Sequence, residues 1–581
     1  MSTNDERPPE GAAGATPSLE EDPALGLSRR QKFEILGAIM VGLFLGALDQ
    51  TIVGTALPRI VTDLGGNDLY VWVVTSYLLT STISVPFYGK LSDVYGRKPL
   101  LMGGIGLFLV GSVLSGLSSD MAQLILFRGI QGLGAGSLFP ISLAVIGDLF
   151  SPAERGKYQG LFGAVFGISF LVGPALGGFL TDAVSWHWIF FVNLPVGAVA
   201  LYVIWHLLPN IRRKDASRHF DVLGGVVFIV GIAMLLIGLT NKQSAEWSSP
   251  EVGGLIAASL AILAVFVLIE RRATEPIVPL DLFRNRTYAS SIVSTFFVST
   301  GFFGAVIFLP RWFQVVQGSS ATESGYQQFP LLLGLIGGSI ASGQIVARTG
   351  RYKALIAGAL ALTAVGLVLM TQLRATTELP VLWAWMFATG LGLGPTLAVY
   401  TIIVQNAVPF SRLGVATSNL TFFRQVGGSV GLAVAGTVFA TALETEMPAQ
   451  LGPVLGEVAA SVPPEAQAQF GQLAGGLADG LAGGGLDLNA LAGVGVSFGE
   501  AFVGYVTGQA PAELQPVVGA VFGPFVGRLD LAFHEAFSLA IGQVFILGVG
   551  AAAVSLVAAL AMKELPLRIG RGGGGGEGFG G

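Results

Sequence analysis

Two ionisable residues, Asp49 and Arg128, stand inside long apolar stretches, where a charge is costly and must be paired or used. Asp49 precedes Pro58, near the end of its stretch, by nine residues, about 13 Å along a helix. Arg128 follows Met121, at the start of its stretch, by seven residues, about 10 Å. Two such segments running in opposite directions bring both groups to a similar depth. Burial works against the carboxylate form, and a guanidinium beside it works in its favour. A carboxyl group held between those forces can release a proton and take one up again as its surroundings change. The competing reading is a static buried ion pair that only sets helix packing. Gln131 lies one turn from Arg128 on the same helical face and can hydrogen-bond there.

A second intramembrane cation, Arg424, sits about 18 Å from the nearer end of its stretch. With Gln425 it contacts either an anionic group of a substrate or a neighbouring helix. Trp383 and Tyr400 are aromatic candidates for the wall of an apolar small-molecule cavity, although aromatics at helical spacing serve equally well as lipid or neighbour contacts.

The stretch Gly89-Lys-Leu-Ser-Asp-Val-Tyr-Gly-Arg-Lys98 is a short charged turn between two apolar segments. Gly89, Asp93, Gly96, Arg97 and Lys98 make it a candidate gating loop. Asp93 is placed to accept hydrogen bonds from Arg97 or from Arg155, or to cap a helix N-terminus. The plainer reading is a turn whose positive charges retain it on one side of the membrane.

These residues need a membrane to position them. Hydrophobic residues make up 52% of the chain and charged residues 12%, about half the usual soluble share, and mean hydropathy is +0.70. Fourteen segments reach spanning length: 33–57, 70–89, 99–118, 121–147, 158–181, 186–208, 221–240, 251–270, 288–313, 326–347, 353–372, 379–405, 412–441 and 537–562. An even number puts both termini on one side. Placing the N-terminus in the cytoplasm puts 24 of the 31 basic residues inside and five outside, so both termini are expected to be cytoplasmic. Cysteine is absent and the four histidines are scattered, which argues against a disulfide or metal site. The net charge of −5 includes no basic block suited to nucleic acid. No nucleophile triad or phosphate loop points to an enzyme.

Several motifs carry a resemblance. The pattern G-x-L-x-D-x-x-G-R-K at Gly89–Lys98 resembles the loop between helices 2 and 3 of the major facilitator superfamily of transporters. Leu48-Asp-Gln-Thr-Ile-Val-Gly-Thr-Ala-Leu-Pro58 is similar to the first-helix motif of its fourteen-helix drug:proton antiporters. Arg128-Gly-Ile-Gln-Gly-Leu-Gly-Ala-Gly136 resembles the fourth-helix motif, and Gly173-Pro174-Ala-Leu-Gly177-Gly178 the fifth-helix antiporter motif. Trp186-His-Trp-Ile-Phe-Phe-Val-Asn-Leu-Pro195 resembles the start of helix 6. Gly54 stands where Asn is usual, Ser169 where Gly is usual and His187 where Arg is usual. The likeness covers residues 33–441 and resumes at about 529–560.

The resemblance implies an all-α polytopic membrane protein of the major facilitator fold, with two six-helix bundles and two extra central helices. A weakened copy of the charged turn supports two related halves: Gly343, Gly350 and Arg351 match Gly89, Gly96 and Arg97 at an offset of 254 residues, while Asp93 becomes Ala347. The expected division is a disordered tail at 1–32, a bundle at 33–208, two linker helices at 209–285, a second bundle at 286–562 with an outer insertion at 442–536, and a glycine-rich tail at 563–581. The insertion reads either as short amphipathic helices on the outer membrane face or as an irregular loop.

The implied activity is alternating-access export of hydrophobic or amphipathic drugs in exchange for protons. Asp49 and Arg128 would couple the proton, with the gradient rather than a bound cofactor as the energy source. The expected setting is the bacterial inner (plasma) membrane, with the lipid bilayer, protons and small hydrophobic substrates as partners and a monomeric chain. Segments 326–347 and 379–405 contain no acid, so monovalent cationic, neutral or amphipathic cargo is accommodated more easily than a dication. A lipid or endogenous metabolite is the alternative cargo. A membrane scaffold or receptor working through the insertion is the alternative of another class.

Overall fold

A computed structural model describes residues 27–65, 69–150, 152–210, 221–242, 245–409, 412–462, 497–509 and 515–567. The expected tails up to residue 26 and from 568, and residues 463–496 of the insertion, lie outside the described residues. Among the described residues the fold is all-helical, and fourteen helices are long and apolar enough to cross a membrane. Lipid offers no partner to a free backbone N–H or C=O, so spans of this composition close their hydrogen bonds internally.

The spans in chain order are α1 Arg29–Leu64, α2 Tyr70–Tyr95, α3 Arg97–Gly116 and α4 Met121–Leu149. They continue with α5 Glu154–Ala183, α6 Trp188–Leu207, α7 Val222–Asn241 and α8 Pro250–Glu270. The last six are α9 Arg286–Val315, α10 Thr322–Thr349, α11 Lys353–Met370, α12 Leu379–Ala407, α13 Leu413–Ala460 and α14 Val526–Ala561. Local chemistry sets several ends. Ser28 and Gln31 form a reciprocal capping box on α1, and Asp120 accepts from the Gln123 N–H at 2.8 Å to start α4. Gly96 (φ 102°) and Gly350 (φ 68°), matched positions of the sequence repeat, each turn the chain with a positive φ that glycine adopts without strain.

Within the first half, α4 packs between α2 and α3, and α1 lies against α5 and α6; within the second, α9, α13 and α14 pack mutually and α12 lies between α10 and α11. The halves meet where α2 lies along α13 and α5 along α10. The seam shows the same internal symmetry. Gly89 of α2 seats against Ser418 of α13, and its repeat partner Gly343 of α10 seats against Gly156 of α5. Helices α7 and α8 pack on each other, and α7 also touches α2 and α13.

The end of the second half departs from the expected spans. α13 was expected to stop at 441 and α14 to begin at 537, but α13 runs to Ala460 and α14 starts at Val526. The reason is a helical stripe, Met447, Leu451, Val454 and Val458, which buries itself against Phe498, Phe502, Val506 and Phe533. Short helices Phe498–Gln509 and Gln515–Phe522 complete this packing. Phe498 stacks on Phe533 at 3.9 Å, and the Asp530 carboxylate accepts from Ser497 Oγ (2.7 Å) and the Gly499 N–H (2.8 Å). The described part of the insertion is therefore a packed helical cap on α13 and α14.

Candidate functional site

Small residues fix α4 in place. A Cβ at Gly132 or Gly136 would strike Tyr77, Thr80, Ser81 or Ser84 of α2, and one at Gly134 would strike Phe108 of α3. Close approach on both flanks leaves the remaining face of α4, with Arg128 and Gln131, turned to α1. There Arg128 Nη1 donates to Asp49 Oδ2 at 2.5 Å and to Gln131 Oε1 at 2.9 Å. Gln131 Nε2 donates to Asp49 Oδ1 at 2.8 Å, and Asn193 Nδ2 of α6 donates to the same oxygen at 3.2 Å. The Arg128 guanidinium lies 4.2 Å from the Tyr77 ring centre. Asp49 and Arg128 are 0% and 1% exposed, so this pair is shut away from both water and lipid.

One carboxylate thus gathers donors from two further helices, α4 and α6. A proton on Asp49 would cancel the negative end of the network and leave the guanidinium to Gln131 and the Tyr77 face. The arrangement ties α1 to α4 and α6 through a single carboxylate. Asn193 is the member that the sequence reading missed. Its signal was an amide at the start of an apolar segment, and it is anchored from behind by Ser112, whose hydroxyl it reaches at 3.0 Å.

The fifth-helix motif faces two ways. A Cβ at Gly173 would collide with Thr51 and one at Gly177 with Thr55, so these glycines admit α1 just beyond Asp49. Thr51 Oγ1 donates to the Ser169 carbonyl at 3.1 Å. Pro174 and Gly178 point instead to α10, within 3.4 Å and 3.6 Å of a Cβ at Gly325 and of Thr322 respectively. His187, standing where the resemblance expects arginine, stacks on Trp186 at 3.7 Å; burial lowers its pKa against the opposing pull of Asp63.

At the end of the bundle that carries both ends of the described chain, here the near face, the expected charged loop is helical on either side of Gly96: Gly89–Tyr95 close α2, Arg97 and Lys98 open α3, and Asp93 and Arg97 are buried. Arg97 pairs with Asp93 (Nη1–Oδ1 2.6 Å) and donates from Nε to Asp148 Oδ2 at 2.9 Å. Asp93 Oδ2 accepts from the backbone N–H of Val415 at 3.1 Å, in the first turn of α13. Asp93 thus uses Arg97 and a helix N-terminus, two of the three partners considered. The third, Arg155, donates to the carbonyls of Gly147 (2.5 Å) and Phe150 (3.1 Å). Lys98 reaches the Trp205 carbonyl at 2.5 Å, tying the turn to α6. Lys90 pairs with Glu275, and Arg412 with Asp281, so the segment between α8 and α9 is charge-paired to both halves. Deeper, Gln159 Nε2 donates to Gln405 Oε1 at 3.0 Å, and Gln405 Nε2 donates to the Leu143 carbonyl at 3.1 Å. The near face is closed by polar contacts between the halves.

The second-half candidates do not join the Asp49 cluster. Tyr400 is 0% exposed and its hydroxyl is engaged by Ser294, so it sits inside the packing of α9, α12 and α14 rather than on a cavity wall. Trp383 is 38% exposed on α12. Arg424 makes no hydrogen bond or ion pair with any described residue, and its buried Nη2 has no partner. Gln425 Oε1 is likewise buried and unpartnered. On insertion scales an arginine at mid-helix depth costs about 2.5–3.5 kcal/mol, which an absent partner leaves uncompensated.

Comparison with known proteins agrees with this architecture. Residues 39–432 match the family model described as Major Facilitator Superfamily. The multidrug transporter protein MdtP of Bacillus subtilis (strain 168) is 40% identical over 405 residues, which are 70% of this chain and 74% of that protein. The tetracenomycin C resistance and export protein of Streptomyces glaucescens is 34% identical over 439 residues, covering 75% and 80%. A crystal structure of a bacterial homolog of the human lysosomal transporter Spinster, inward-facing and unoccupied, superposes with a TM-score of 0.52 at 15% identity, over 92% of this chain and 98% of that one. With fourteen helices in two related halves and a family match across most of its length, this chain is a multi-pass membrane protein that belongs to the major facilitator superfamily of transporters.

Proposed function

We propose that the protein exports hydrophobic or amphipathic small molecules in exchange for protons, by alternating access between its two halves. The observation that carries this reading is the Asp49–Arg128 pair, fully buried within the spans and held by Gln131 and Asn193. An intramembrane carboxylate is a functional site by default, and a proton relay is one of the roles such groups serve. The printed names of the relatives, a multidrug transporter and a tetracenomycin C exporter, support drug export. The proton gradient is the energy source in this reading, and no cofactor takes part.

The basic-residue bias argues that the near face is cytoplasmic, with both termini inside and the bacterial plasma membrane as the setting. The conformation described is then closed towards the cytoplasm. In that state the carboxyl is also sealed from water, so in this account it takes a proton from the far side once that end loosens, and opening of the near face delivers it inside. The protein works as a monomer in the bilayer in this account.

The test is dye transport in proteoliposomes carrying an imposed pH gradient. Accumulation should stop when an uncoupler is added, and Asp49→Asn should remove gradient-driven transport. Gradient-driven transport that survives Asp49→Asn would refute the coupling. Transport of lipid but not of dye in the same vesicles would move the cargo to the alternative class.

A further inference from the structure

The deep charges of this protein do not balance. Among the described residues, three charged side chains lie near mid-membrane depth: Asp49, Arg128 and Arg424. The first two neutralise each other, and every oxygen of the Asp49 carboxylate already has a donor. Arg424 stands eleven residues into α13, about 16 Å from its start, with no hydrogen bond or ion pair to any described residue. Its neighbours on α9 do not supply one. There Gly427 and Gly431 let α13 lie against the backbone of Phe296 and Thr300, and Thr300 Oγ1 is bound to the Gly427 carbonyl at 3.1 Å. An arginine facing lipid would extend its long stem towards a headgroup. Arg424 instead keeps Nη2 buried.

We propose that Arg424 receives an anionic oxygen group of the cargo, so that the substrate class is an amphiphile bearing a carboxylate, sulfonate or ionised phenol. This deepens the export reading and rests on it. The charge count decides between cargo types. With Asp49 ionised the interior carries one net positive charge. An anionic group brings it to neutrality, whereas a cationic amphiphile would raise it to two. Of the cargo classes expected from the sequence, monovalent cationic, neutral or amphipathic, the cationic one is therefore set aside in favour of an anionic amphiphile. Guanidinium geometry suits the assignment, because its planar donors match a carboxylate or sulfonate in pairs. The adjacent Gln425 Oε1, also buried without a partner, remains open to a hydroxyl or N–H elsewhere on the same molecule. A role in packing alone would need an acceptor on a neighbouring helix, and none among the described residues reaches Arg424 Nη2.

The experiment uses three dansyl probes with one apolar body and a carboxylate, primary amide or trimethylammonium end. Binding is read by dansyl fluorescence on the purified full chain, and transport in proteoliposomes. The wild type should bind the carboxylate probe about ten-fold or more tighter than the ammonium probe. Arg424→Gln should abolish that preference while amide binding stays within about two-fold, and Arg424→Lys should keep part of it. Melting temperature in detergent is measured for each variant. An equal loss of all three probes with a lowered melting temperature in both variants means that Arg424 is structural and overturns the proposal. So does a wild-type preference for the ammonium probe, or a carboxylate preference that survives Arg424→Gln. Carboxylate-selective binding lost in Arg424→Gln, with none of the probes transported by the wild type, would refute export and leave the anion subsite standing. Failure of the wild type to bind any probe would overturn both.

Discussion

The Asp93 carboxylate accepts a hydrogen bond from the backbone N–H of Val415 at 3.1 Å, across 322 positions of sequence and from one half of the protein to the other. The same carboxylate pairs with Arg97, which also holds Asp148. A negative charge at a helix N-terminus is favourable, and here the helix belongs to the opposite half. The contact therefore exists only while the near face is closed.

Removing it should open that face. A hydrogen bond to a charged group is worth about 1.5–3 kcal/mol, so Asp93→Ala should shift the closed–open balance by about ten- to a hundred-fold. The chain has no cysteine, so Ser418→Cys can be labelled without background. Labelling by a membrane-impermeant maleimide from the near face should rise in the Asp93→Ala background. An unchanged rate would show that this contact does not hold the seam.

Asp49→Asn keeps the shape of the network and removes its titratable group. Transport driven by a pH gradient should fall by about a hundred-fold or more, while exchange of labelled for unlabelled cargo at equal pH continues. Loss of both activities together would mean that the carboxylate supports the fold rather than the coupling.

Gly173 and Thr51 test the α1–α5 contact. Gly173→Ala places a methyl group against the Thr51 hydroxyl and should lower transport by about ten-fold. Thr51→Ala in the same chain removes the nearer obstacle, the hydroxyl, while the Cβ at 2.7 Å remains, and should restore part of the rate, giving a non-additive pair. Additive losses would show that the two side chains do not meet during transport.

Asn193→Leu takes one donor from Asp49 and leaves Ser112 bound only to the Phe190 carbonyl. Transport should fall by about ten-fold, in line with loss of one charge-assisted hydrogen bond. Asn193→Asp should be worse, because a second carboxylate would face the first. An Asn193→Leu variant with the wild-type rate would remove α6 from the coupling machinery.

Much of this was legible from residue type and depth alone. Asp49 and Arg128 announce themselves because hydrocarbon tolerates few charges, and helical rise places them level. The spans follow from their composition. Asp148, Asn193 and Val415 were not legible, since which polar group meets which across helices depends on how the bundle closes. The outer ends of α13 and α14 were hidden differently. Met447, Leu451, Val454 and Val458 do recur at helical spacing, but Pro448 and Pro453 interrupt the reading, and the surface they bury against lies elsewhere in the chain. Tyr400 misled because an aromatic near a cavity and one inside a bundle look alike in sequence.

The unbroken run of α13 from Leu413 to Ala460 has a mechanical corollary. Beyond residue 441 it projects nineteen residues, about 28 Å, and is splinted there by α14 and two short helices. A helix of that reach acts as a pointer. A swing of about 10° at mid-membrane carries its tip through several ångströms, so a fluorophore at Ala459 would register each turnover cycle as an amplified displacement far from the bilayer.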